Sequence, residues 1–185
     1  MLEELKRWLK PARQDKTIFD IVIYGSAVKG KRIPGDIDIA VVFREGTLKE
    51  RLDKIQGIKK NIPFPKIDLK GILWEELFQE SFFARAGIFL DGISLFDSKP
   101  FSRKIGFHGF ALFTYSLKDK SHAQKVKFNY VLSGRTGAGM IKVLEGTHLA
   151  PGVVQIPIKH AMEFEEVLNK HHVVYKRENI LVERY

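Results

Sequence analysis

Asp36 and Asp38 stand two residues apart at the start of an apolar, β-branched run, Ile37-Asp38-Ile39-Ala40-Val41-Val42-Phe43. Such runs read as strands. Strand side chains alternate between faces, so the two carboxylates share one face while Ile37 and Ile39 enter the opposite layer. Neighbouring carboxylates repel unless a cation lies between them. Carboxylate oxygens are hard ligands and the chain has no cysteine, which points to Mg2+ or Mn2+. Taken alone, the pair is also what a solvated or capping strand edge after the Ile33-Pro34-Gly35 turn would present. Upstream, a second apolar run, Ile21 to Tyr24, ends in Gly25-Ser26. That turn is expected to open a short helix over Ala27 to Gly30, whose first amides would attract an anion.

Gly25-Ser26, nine intervening residues and Asp36-Ile37-Asp38 together resemble the signature of the DNA polymerase beta-like nucleotidyltransferase superfamily. Within it they look most like the small archaeal and bacterial minimal nucleotidyltransferases. The resemblance covers residues 1–98. Those proteins carry a third carboxylate on a later strand, and Asp68 in Lys66-Ile67-Asp68-Leu69 supplies it. The resemblance implies that Asp36, Asp38 and Asp68 are catalytic and metal-ligating: the first two bridge two divalent ions, and Asp68 binds the catalytic one. It implies that Gly25 and Ser26 hold the β- and γ-phosphates of a nucleoside triphosphate, ATP foremost. Lys29, where many relatives have Arg, would add a phosphate contact. The implied reaction is attack of an acceptor hydroxyl on the α-phosphate, with pyrophosphate leaving. Two other readings stand beside it. One is an antitoxin-like interaction protein that neutralises or adenylylates a partner protein; the other is a nucleic-acid-binding module without turnover.

The surrounding chain must place these groups. Leu2, Leu5 and Leu9, with Trp8, give residues 2–14 an amphipathic helical stripe, and the first strand runs from Thr17 to Tyr24. The second strand, Asp36 to Phe43, is followed by helical spacing of Leu48, Leu52, Ile55 and Ile58. Pro63 and Pro65 precede a short strand, Lys66 to Ile72, in which alternation sets Asp68 opposite Ile67 and Leu69. A strongly apolar helix is expected over residues 74–90 and a closing strand over 93–96. Asp97 to Ser102 combines charge, Ser and Pro as a linker, dividing the chain into domains 1–98 and 99–185. In the second, strands are expected over 109–117 and 153–158, helices over 121–133 and 159–170, and a terminal hairpin over 173–182. The fold class is α/β of the α+β kind: a small mixed sheet flanked by helices, and a second small α/β module.

Charge adds a partner to this picture. Of the net +9, residues 1–98 hold 17 Lys/Arg against 15 Asp/Glu, and residues 99–185 hold 14 against 7. The excess is therefore expected in the C-terminal domain, where RNA or DNA is the expected polyanion. No apolar run reaches the roughly 18 residues a membrane helix needs. The charged start lacks a signal-peptide core, and the absence of cysteine fits a cytoplasmic enzyme.

Overall fold

The computed structural model describes residues 2–28, 36–63 and 66–183, Leu2 without its side chain. The chain divides into two compact units, residues 1–106 and 107–185. Each is a mixed α/β unit around one four-stranded sheet. The division falls later than the linker suggested, because residues 99–106 pack into the first unit. Phe101 is fully buried there, its amide donates to Gly92 O at 2.8 Å, and Ser94 N donates to Lys99 O at 2.9 Å.

In the first unit, α1 (Leu2–Leu9) precedes β1 (Ile18–Tyr24) and β2 (Ile37–Phe43). Next come α2 (Leu48–Lys60), β3 (Ile67–Leu73), α3 (Arg85–Leu90), β4 (Ile93–Ser94) and α4 (Phe101–Lys104). The sheet order is β3-β2-β1-β4. β2 runs parallel to β3, while β1 is antiparallel to both β2 and β4. A parallel neighbour needs a crossover, and α2 supplies it. That helix starts sharply because Thr47 and Glu50 form a capping box. On one face Leu5, Leu9 and Ile55 cover Ile21, Ile23, Ile39 and Val41. On the other, Leu77, Ile88 and Phe101 cover Val22, Ala40 and Val42. β2 is thus buried on both faces from Ile39 onward, which explains its unbroken apolar run.

Two expected helical stripes are modified. Leu48 and Leu52 are exposed, while Arg51 turns inward to make a two-pronged contact with Glu76, at 2.9 and 3.3 Å. Glu76 also accepts from Leu73 N at 2.7 Å, so this pair ties α2 to the end of β3. The helix expected over 74–90 is broken into a 3₁₀ turn, Glu75–Phe78, and the short α3. Phe83 between them is 95% exposed.

The second unit runs β5 (Phe107–Ser116), α5 (His122–Ser133), α6 (Met140–Val143), β6 (Thr147–Ala150), β7 (Val153–Pro157), α7 (Ala161–Lys170) and β8 (Val174–Glu183). Its antiparallel order is β6-β7-β5-β8. With α6 set aside this is a β-α-β-β-α-β arrangement. Phe128 of α5 and Phe164 of α7 pack on Phe113 and Ile156. The terminal hairpin is not formed. Instead β8 pairs with β5 from Ser116↔Val174 to Phe107↔Glu183. Its polar run, Lys176 to Asn179, lies within an edge strand, where charge discourages further pairing. No helix among the described residues is long and apolar enough to cross a membrane.

Candidate functional site

The C-terminal end of β1 meets the N-terminal ends of β2 and β3. Register sets the site: Tyr24 lies opposite Asp38 on one side of β2, and Asp38 opposite Asp68 on the other. Directly paired residues share a sheet face, on strands about 4.8 Å apart. Tyr24, Asp38 and Asp68 therefore line one surface, and Lys70, two residues past Asp68, joins them. Lys70 Nζ lies 3.3 Å from Asp68 Oδ2.

After Tyr24 the chain turns through a 3₁₀ segment, Gly25–Ala27, closed by Val28 N donating to Gly25 O at 3.4 Å. Gly25 takes φ +74°, a left-handed conformation that glycine adopts without a Cβ penalty. A second constraint acts at the same atom. A Cβ on Gly25 would fall 2.4 Å from Asp38 Oδ2. The turn therefore closes directly on the carboxylate, and Ser26, half-buried, follows in it. Of the helix expected over Ala27 to Gly30, Ala27 ends the 3₁₀ segment and Val28 caps it, while residues 29–30, Lys29 included, lie outside the described residues.

The electrostatics follow from this crowding. Burial raises the Asp38 pKa above the usual carboxylate value, and the Asp68 charge pushes it the same way; Lys70 opposes them, and Asp36 adds a smaller upward push. Lys70 is held protonated beyond its ordinary range, chiefly by its hydrogen bond to Asp68, with Tyr24 contributing. Burial raises the Tyr24 phenol, and Asp38 and Asp68 add to that while Lys70 subtracts. These four groups form one coupled cluster.

Asp38 and Asp68 are thus brought together. Asp36 is exposed in a bend just before β2 and is felt by Asp38 only through its charge. Among the described residues, no group of three or more His, Cys, Asp or Glu is placed to hold a metal ion. The two registered carboxylates fit a single hard divalent ion: both present oxygen from paired positions on one sheet face, and the single ammonium of Lys70 stands against the two of them. Sequence reasoning missed Lys70 and Tyr24. Lys70 had a signal, since Asp68-Leu69-Lys70 alternates it onto the carboxylate face; Tyr24 had only its place at a strand end.

A mixed sheet whose central strand sets an aspartate beside a neighbouring strand's aspartate, with a Gly-Ser turn closing on it, defines the first unit as a mixed α/β domain with a paired-carboxylate site. Residues 5–91 match the family model described as nucleotidyltransferase domain. The first unit therefore carries a nucleotidyltransferase domain, in keeping with a polymerase beta-like origin for the N-terminal half, and general nucleotidyl transfer is the activity this domain supports. A comparison with curated proteins finds no match.

Proposed function

We propose that the protein transfers a nucleoside monophosphate from a nucleoside triphosphate, ATP foremost, to an acceptor hydroxyl in a divalent-metal-dependent reaction. The observation that carries this reading is the register pairing of Asp38 with Asp68 beneath the Gly25 turn. Mg2+ or Mn2+ would neutralise charge that develops on the α-phosphate oxygens and on the departing pyrophosphate. Asp38 and Asp68 would hold that ion, with Asp36 adding negative potential at the rim. Ser26 and the backbone amides of the turn would orient the β- and γ-phosphates, so the α-phosphate faces the carboxylates. Tyr24, 6% exposed, closes the floor of the site against water. Lys70 balances part of the carboxylate charge in the resting site.

The test is incubation with each of four labelled nucleoside triphosphates, Mg2+ or Mn2+, and a panel of tRNA, other RNA and protein acceptors. Asp38→Ala is expected to abolish label incorporation while leaving the far-UV circular dichroism and urea midpoint unchanged. Undiminished incorporation by that folded variant overturns the proposal.

A further inference from the structure

The opposite end of the first sheet carries a second feature, built largely from cations that the carboxylate site does not use. Six residue steps along β1 separate Ile18 from Tyr24, about 20 Å at strand rise. Ile18 lines a cavity of about 330 Å3, and a second of about 580 Å3 adjoins it, sharing Arg13, Phe96, Asp97 and Lys104. The smaller adds Lys16 and Arg44; the larger adds Lys99 and Arg103. Six cations thus face two exposed-side carboxylates, Asp97 and Asp15.

Part of this charge is preorganised. Lys104 Nζ lies 2.9 Å from Asp20 Oδ2 and 2.9 Å from Asp97 Oδ2. Asp20 is fully buried and anchored by Ser94 Oγ at 3.0 Å and Ile21 N at 2.7 Å. Arg13 is held by Phe96 O at 2.9 Å. Arg44 lies over the Phe19 ring at 4.7 Å, and Lys104 stands 5.2 Å from Phe19 and 5.6 Å from Phe96. Among the described residues, Lys16, Arg44, Lys99 and Arg103 have no carboxylate within ion-pair distance.

A small anion needs one enclosed pocket with converging donors. Here the cations are spread over two open, joined cavities beside two half-buried rings. That pattern matches a chain of spaced phosphates with bases available to stack. We propose that this groove binds the phosphate backbone of a single-stranded nucleic acid. The groove is a binding site apart from the carboxylates; it rests on the transferase reading only in offering a nucleic acid as the acceptor whose class that reading leaves open.

The structure also divides the basic excess almost evenly between the two units. With the division after Gly106, the first unit holds 20 Lys/Arg against 15 Asp/Glu and the second 11 against 7. Lys99, Arg103 and Lys104 account for the change, and all three line the groove.

The experiment is fluorescence anisotropy of a labelled single-stranded RNA oligonucleotide with the full chain, without nucleotide or divalent ion, over a salt series. Lys99→Glu/Arg103→Glu is compared with Lys118→Glu/Lys142→Glu, an equal charge reversal on exposed positions of the second unit. The groove variant is expected to weaken binding at least about tenfold and to flatten the log–log salt slope by about 1.4, two cations at roughly 0.7 each on a single strand. The control is expected to lose no more than about twofold. Equal losses in both variants, a larger loss in the control, or no binding by the wild type overturns the proposal. Because this assay contains neither nucleotide nor divalent ion, it reads the groove alone, and label incorporation reads the transferase site, so the failure of either is told apart from the failure of the other.

Discussion

Gly25→Ala is the sharpest probe of the site, because two independent penalties meet at one missing methyl group. The backbone sits at φ +74°, where an L-residue costs on the order of 1–2 kcal/mol. The added Cβ would lie 2.4 Å from Asp38 Oδ2, against an ordinary contact of 3.4–4 Å. Something must yield by about 1 Å, and the carboxylate, as the end of a side chain, moves more readily than the strand. Gly106 separates the two effects: its φ is +86°, and a Cβ there meets nothing within 4 Å. Gly106→Ala and Gly25→Ala should therefore lose similar stability in urea unfolding, each about 1–2 kcal/mol. Turnover should diverge. Moving a catalytic carboxylate by about 1 Å costs roughly 10²-fold, so pyrophosphate release by Gly25→Ala should fall about a hundredfold below that of Gly106→Ala. Rates within about threefold of each other would refute the reasoning, because the turn would then not be seated on the carboxylate.

Two further outcomes follow from the charge arrangement. Lys70→Met removes the ammonium 3.3 Å from Asp68; with both groups about half exposed, the effect on a competing divalent ion should be about 1 kcal/mol. Mn2+ affinity read by electron paramagnetic resonance should tighten about threefold to tenfold, and weaker binding would show that Lys70 supports the ion rather than opposing it. For Asp20, burial raises the carboxyl pKa above its usual 3.8, with Lys104 and Ser94 only partly offsetting it. The folded state then holds that proton to higher pH than the unfolded chain, so wild-type stability is lost as pH rises from 3.8 through the folded value. Asp20→Asn lacks this loss. The stability of the wild type relative to Asp20→Asn should fall as pH is raised through that window in urea titrations, and a rise would contradict the assignment.

What the sequence made legible was local. Alternation placed Ile37 and Ile39 away from Asp38, and the helical spacing from Leu48 and the helix expected from residue 121 correspond to helices that begin at Leu48 and His122. Register between strands was not legible, because β2 and β3 are joined through α2 and nothing in either strand alone states which residues face each other. That register pairs Asp38 with Asp68 and leaves Asp36 outside the sheet. The broken helix over 74–90 failed for the same reason. Its aromatic spacing looked helical, but Phe78 and Phe83 remain exposed while Leu77 and Ile88 fill the core, and only the packing of the first unit selects among them. The polar run in β8 misled because charge next to Asn resembles a turn, whereas on an edge strand it is tolerated throughout. Charge itself depended on a boundary eight residues wide of the structural one. Net charge is a property of a surface, and a surface exists only once the chain has folded. Lys99, Arg103 and Lys104 follow the linker in sequence, but the burial of Phe101 carries them back to the sheet that bears Asp38. One buried ring thereby moves the strongest candidate for polyanion contact from the second unit to the first.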